Sequence, residues 1–153
     1  MEVPAGQQLH YLLLALPAMK RLGILNCVVT PQGAATAQSA AAAALALGLT
    51  VIREETTDDR PELVEEGLKA LVRRGGVEAL FIPHDPVLSE SKNLGFICQR
   101  ARRARIPVMV ISRSSVETGA LLAYHADFIE SGRQAGQQAA RLLAGAQINT
   151  VSP

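Results

Sequence analysis

Short polar side chains gather at the predicted carboxyl ends of strands, and they are the groups of this chain best suited to bind a small polar molecule. They are Asn26, Thr30, Thr56, Thr57, Asp85, Ser89, Ser112, Ser114 and Ser115. Amide, hydroxyl and carboxyl groups supply hydrogen-bond donors and acceptors to a ligand. His84 stands beside Asp85 and is either a further ligand contact or a solvated loop residue, because imidazole hydrogen-bonds readily in both settings.

Sequence patterns of catalysis, metal binding and phosphate binding do not accompany these residues. The serines lack a Gly-x-Ser-x-Gly context, and neither Gly-x-Gly-x-x-Gly nor Gly-Lys-Ser/Thr occurs. The histidines, His10, His84 and His125, are scattered without metal-ligand spacing. No cofactor and no metal are therefore implied. An enzyme that uses Asp85 or His84 as a general base is the least favoured alternative, because neither has a recognisable partner to tune it.

Composition indicates a globular chain without a global charge bias. Of 153 residues, 48% are hydrophobic and 3% aromatic, and the formal net charge is +1. This balance excludes disorder and argues against nucleic acid or an anionic membrane as the partner. The basic run from Arg100 to Arg105 fits the end of a helix, where cations complement the helix dipole. Cys27 and Cys98 are predicted to be buried free thiols.

The apolar segment from Leu9 to Leu16 is predicted to be a helix rather than a signal peptide. Leucines recur in it at helical spacing, and the preceding residues include Glu2 but no Lys or Arg. No apolar run reaches the roughly 18 residues that would span a bilayer.

Strand-like and helix-like segments then alternate along the chain, which is typical of an α/β domain with a parallel sheet. Strands are predicted over residues 22–29, 49–54, 77–83, 107–112 and 119–124, and helices over 33–47, 61–74, 87–105 and 126–143. We expect a three-layer fold with four to five strands in flavodoxin-like order, and residues 1–153 as a single domain. The nearly all-apolar strand 77–83 should be central, since both of its faces are covered.

Five segments, in this order and spacing, resemble the ABC-transporter substrate-binding protein family of the type I periplasmic-binding fold. They are LPAMKRLGILN (16–26), FIPHDPV (81–87), GALLAY (119–124), ESGRQAG (130–136) and LLAG (142–145). Members are bilobed receptors that close on a small solute, often an amino acid, and pass it to a membrane permease. The resemblance implies non-catalytic binding, a periplasmic or lipoprotein location, and a chain that corresponds to the second lobe only.

Carried over by this resemblance, the second-lobe contacts fall on three strand ends. They comprise Asn26 and Thr30, the loop residues His84, Asp85 and Val87, and the pair Ser112 and Arg113. Asp85 would accept from a ligand ammonium or hydroxyl group, or else cap the following helix. Arg113 would pair with a ligand carboxylate, or else lie on the plain surface.

Residues 125–153 would return to the first lobe in the intact family fold. The apolar stripe of the helix 126–143 would then lack its partner, so we expect it either to fold back on its own sheet or to be buried by a second copy of the chain. The alternative function is a regulatory or oligomerisation module that has kept the fold but lost the ligand, because one lobe supplies only half of the contacts.

Overall fold

The computed structural model describes residues 3–73 and 76–145. These residues form two compact units, residues 3–125 and residues 126–145. No helix in the described ranges is long and apolar enough to cross a membrane. The single-domain interpretation of residues 1–153 stays a prediction, and the predicted end of one helix at Arg74 lies outside the described residues.

The first unit alternates helices and strands in the order that the sequence predicts. Its elements are α1 (Ala5–Ala15), β1 (Arg21–Cys27), α2 (Pro31–Ala46), β2 (Thr50–Thr56), α3 (Pro61–Arg73), β3 (Ala79–Phe81), α4 (Ser91–Arg103), β4 (Val108–Val110), α5 (Arg113–Glu117) and β5 (Leu122–Ala123). The strands form one parallel sheet in the order β2-β1-β3-β4-β5. The expected α/β class and flavodoxin-like order are confirmed.

Two apolar clusters cover the two faces of this sheet. Leu22 and Ile24 of β1 pack with α1 and α2 on one face, whereas Leu25 and Cys27 pack with α3 and α4 on the other. This alternation follows from the two-residue period of a strand. Ala37, Ala40 and Ala44 of α2 are completely buried, so the small face of this helix lies against the sheet.

Several element boundaries differ from the sequence-based predictions. The strand predicted over 107–112 is Val108–Val110, and the one over 119–124 is only Leu122–Ala123. The helix predicted to start at residue 87 begins at Ser91, because residues 86–89 form turns. The short α5 was not predicted, since its five residues are too few to show a helical period.

The second unit contains α6 (Phe128–Leu143). Asp127 caps its start by accepting hydrogen bonds from the backbone N–H groups of Ile129 and Glu130 at 3.0 and 2.9 Å. Glu130 pairs with Arg133 one turn later. These local contacts stabilise α6, in which no residue is buried.

Candidate functional site

The carboxyl ends of β1 and β3 mark the place where a doubly wound sheet opens a crevice. From β1 the chain continues into α2 on one face, and from β3 it continues into α4 on the opposite face. Because these loops leave adjacent strands in opposite directions, a gap opens between them, and ligands of such sheets bind in this gap. The candidate site therefore lies at this rim, as expected from the sequence.

Asp85 ties the two loops of this rim together. Its Oδ2 accepts a hydrogen bond from the Cys27 backbone N–H at 2.5 Å, and its Oδ1 accepts from the N–H groups of Val87 and Leu88, both at 3.0 Å. The residue is 0% exposed. Both oxygens of Asp85 are engaged by backbone donors, so the side chain holds the turn at residues 86–89 and bridges it to β1. It does not cap α4, which begins at Ser91 with Glu90 as its N-cap.

Gly33 permits this bridge because it has no side chain. A Cβ atom at this position would lie 2.8 Å from Asp85 Oδ2 and 2.8 Å from the Cys27 carbonyl oxygen. The first turn of α2 can therefore approach the buried carboxylate, where the positive end of the helix dipole favours negative charge. The sequence indicated Gly33 only as the start of the predicted helix 33–47, because the residue that it contacts, Asp85, is distant in the sequence.

Thr30 and Thr36 complete the connection between the loops. Thr30 caps α2 by accepting from the Gly33 N–H at 3.2 Å. Thr36 donates its hydroxyl hydrogen to the His84 carbonyl oxygen at 2.8 Å. The side chain of His84 is half-buried in this loop. The sequence offered no indication for Thr36, because its partner is 48 residues away.

Asn26 is buried on the α1–α2 face of the sheet and is 0% exposed. Its Oδ1 accepts from Arg53 Nη2 at 3.4 Å, and Arg53 also pairs with Glu55 at 3.0 Å. Within the described part of the chain, Asn26 Nδ2 has no hydrogen-bond partner. Asn26 is therefore closed off from solvent in this conformation.

Ser112 lies at the end of β4 and caps α5. Its Oγ accepts from the Ser115 N–H at 3.3 Å and lies 2.6 Å from Ser115 Oγ and 3.2 Å from Ser114 Oγ. Arg113 follows with an exposed side chain. Because β3 and β4 are neighbours in the sheet, the segment with Ser112 and Arg113 and the Asp85 loop follow adjacent strands.

The predicted site residues therefore share one rim but differ in access. Those with accessible or partly accessible side chains are Thr30, His84, Val87, Ser112 and Arg113, whereas Asn26 and Asp85 are buried.

Both cysteines are buried, as predicted, and burial raises the pKa of the Cys98 thiol. Nowhere in ranges 3–73 and 76–145 do three or more His, Cys, Asp or Glu side chains assemble a metal-binding group.

Comparison with known proteins connects this fold to a family. The sequence profile described as "ABC transporter substrate binding protein" matches residues 2–153. The chain belongs to this ABC transporter substrate-binding family. The resemblance seen in the sequence is thereby confirmed. No curated protein matches the sequence significantly.

Solved structures of substrate-binding proteins share the fold. The ligand-free, open structure of CD0873, a substrate-binding protein with adhesive properties from Clostridium difficile, matches with a TM-score of 0.84 and 22% identity over 95% of this chain and 48% of its own. An ABC domain in complex with L-Trp from Streptococcus pneumonia matches at 0.70 and 20% identity, over 98% and 48% of the two chains. A glycerol-bound ABC transporter solute-binding protein from Mycobacterium smegmatis matches at 0.51 and 24% identity, over 67% and 33%.

These comparisons concern part of each relative. The chain spans about half the length of the first two structures, since it covers 48% of each. Its five-stranded sheet with flanking helices is the architecture of one lobe of such binding proteins. At these identities the structures establish the fold of the family member, and the solutes in their titles are properties of those proteins.

Proposed function

We propose that this chain supplies one lobe of a receptor that binds a small polar solute, such as an amino acid, for an ABC permease. The family membership and the crevice rim tied together by Asp85 support this function. The proposed contacts are Thr30, His84, Val87, Ser112 and Arg113, whose side chains are at least partly accessible. The location consistent with this role is the periplasm or the outer face of a membrane.

Buried groups have a different part in this proposal. Asp85 and Asn26 are 0% exposed, so they shape the rim and do not touch the solute. Arg113 has the only guanidinium among the proposed contacts, and its planar fork suits a carboxylate. A solute that carries a carboxylate together with hydrogen-bonding groups fits both Arg113 and the neighbouring serines.

Thermal-shift and calorimetric titration with the standard amino acids and small carboxylates test this function. Because one lobe makes only half of the contacts, we expect dissociation constants of about 1 mM, and a tenfold excess of such a ligand stabilises the fold by about 1.4 kcal/mol. Arg113→Ala should weaken binding about tenfold. The matched control Arg141→Ala, an exposed arginine on α6, should change it less than about twofold.

The absence of a response from the folded wild type to any of these solutes would overturn the proposed function. It would favour the alternative, a regulatory or oligomerisation module that has kept the fold without the ligand. The apolar residues exposed on α6, including Phe128 and Leu143, favour self-association in either case. We therefore also propose that α6 is covered by a second copy of the chain.

A further inference from the structure

A basic groove lies between α3 and α4, away from the crevice rim. It has a volume of 320 Å³ and an apolar floor formed by Leu68, Val72 and Ala104. The groove lies along the carboxyl-terminal halves of both helices. Helices that follow parallel strands run back toward the strands' amino ends, so it faces the edge of the sheet opposite the candidate solute site.

Four cations and a single carboxylate surround this floor. The cations are Lys69 and Arg73 of α3 and Arg100 and Arg103 of α4, and the carboxylate is that of Glu65. Glu65 Oε1 is shared between Lys69 Nζ at 3.1 Å and Arg100 Nη2 at 3.2 Å. Among the residues that the structure describes, neither Arg73 nor Arg103 forms an ion pair.

The positive charge of the groove exceeds the negative charge of the two helix carboxyl termini and Glu65. Two helix carboxyl termini carry about −0.5 elementary charge each, and Glu65 adds one negative charge against the four cations. About two positive charges remain uncompensated in the groove, whereas the whole chain has a net charge of only +1. Arg100 also has a buried Nε without a partner in the described ranges, and its guanidinium carbon lies 5.2 Å from the Phe96 ring centroid.

We propose that this groove is a docking site for an acidic peptide segment of a partner protein. Charge complementarity selects carboxylate side chains for Arg73 and Arg103, and the apolar floor selects an aliphatic side chain placed between them. The concave shape favours a peptide over a membrane surface, because a lipid headgroup plane cannot enter a groove between two helices. This site can be occupied independently of the solute site at the opposite edge of the sheet.

Fluorescence anisotropy with a labelled peptide that repeats Glu-Glu-Leu tests the docking site on the full chain. At low ionic strength, where the Debye length exceeds about 10 Å, we expect saturable binding. The variant Arg73→Glu/Arg103→Glu should weaken it by at least about tenfold. The control Lys92→Glu/Arg141→Glu changes the net charge equally at exposed positions outside the groove, and should weaken binding less than about threefold.

Four further measurements complete the test of the docking site. Circular dichroism must show that both double variants fold, and Arg73→Gln/Arg103→Gln should give an intermediate loss of affinity. If the groove variant and the control variant lose the same affinity for the peptide, the proposal is wrong, because binding would then depend only on the net charge of the chain. Equal binding of a repeat in which Ser replaces Leu would overturn the role of the apolar floor. If the chain sediments with phosphatidylserine vesicles but does not bind the peptide, the proposed peptide partner is wrong and the groove binds a membrane surface.

Discussion

At the scale of single residues, the rim of the sheet depends on one carboxylate. Asp85 is 0% exposed and accepts three backbone hydrogen bonds, one from the last residue of β1 and two from its own loop. Hydrogen bonds to a charged acceptor are stronger than neutral ones, and a buried donor that loses its acceptor carries the full cost of desolvation. Asp85 thus connects the end of β1 to the turn at residues 86–89.

Replacing Asp85 by alanine should destabilise the protein strongly. The N–H groups of Cys27, Val87 and Leu88 would lose their acceptor, and we expect a loss of about 3 kcal/mol or more in the free energy of unfolding. Urea unfolding measures this loss. Cys27 should also react faster with a thiol reagent, because the strand end that buries it is released.

The matched control for this variant is Asp59→Ala. Asp59 is exposed, so its replacement should change the free energy of unfolding by less than about 0.5 kcal/mol. If Asp85→Ala and Asp59→Ala unfold at the same urea concentration, the bridge between the two loops contributes nothing to stability, and its role at the rim is wrong.

At the scale of elements, the opposite edge of the sheet has its own connection. The Glu78 carboxylate, just before β3, accepts hydrogen bonds from the backbone N–H groups of Lys20 and Arg21 at 2.6 and 2.8 Å. Arg21 Nη2 lies 3.2 Å from its other oxygen. The Lys20 N–H, then the Arg21 N–H and the nearby positive charges, hold the pKa of Glu78 below its ordinary value.

This lowered pKa predicts an acid-dependent contribution to stability. A carboxyl group with a folded-state pKa below its unfolded value stabilises the fold above the unfolded pKa, which is about 4.3 for Glu, and the contribution is lost as the pH falls through the folded pKa. Glu78→Gln should therefore be less stable than wild type near about pH 7, and the difference should shrink toward about pH 3.

Urea titrations at both pH values measure this difference. Glu117→Gln serves as the control, because Glu117 is exposed on the short α5. Its effect on stability should be small at either pH. A difference between Glu78→Gln and wild type that stays constant across the acid range would contradict the role of the ionised Glu78 carboxylate.

At the scale of the whole molecule, α6 presents an apolar stripe without a buried residue. Phe128, Ile129 and Leu143 are 69%, 88% and 90% exposed. Apolar area left in water costs about 25 cal/mol per Å², so a second copy that covers the stripe would lower the free energy. This argument carries the proposed self-association.

We therefore expect a dimer for the wild-type chain at micromolar concentration in size-exclusion chromatography with light scattering. Phe128→Ser/Leu143→Ser removes the two large side chains near the ends of α6 and should yield a monomer. The control Gln137→Ser changes a polar, exposed position of the same helix and should leave the dimer intact. A strictly monomeric wild type with rapidly exchanging α6 amides would contradict the proposal.

Apart from the short α5, local patterns in the sequence were sufficient for the order of the elements and for the position of the strand ends that form the rim. Apolar periodicity, the Thr30 cap and the alanine face of α2 each act over a few residues, and the periodicity alone was enough to place the helices and strands. The parallel α/β fold follows from the same alternation, because only a sheet covered on both faces buries all of these stripes.

Contacts between residues distant in the sequence decided the rest. The Asp85 carboxylate reaches Cys27 across 58 positions, and Gly33 is required because that carboxylate and the Cys27 carbonyl oxygen lie against it. No local pattern encodes whether a polar side chain at a strand end faces solvent or the interior, since that depends on the packing of neighbouring loops. The sequence alone therefore located the rim, and the tertiary structure determined that Asp85 and Asn26 lie beneath it while Ser112 and Arg113 stand at its surface.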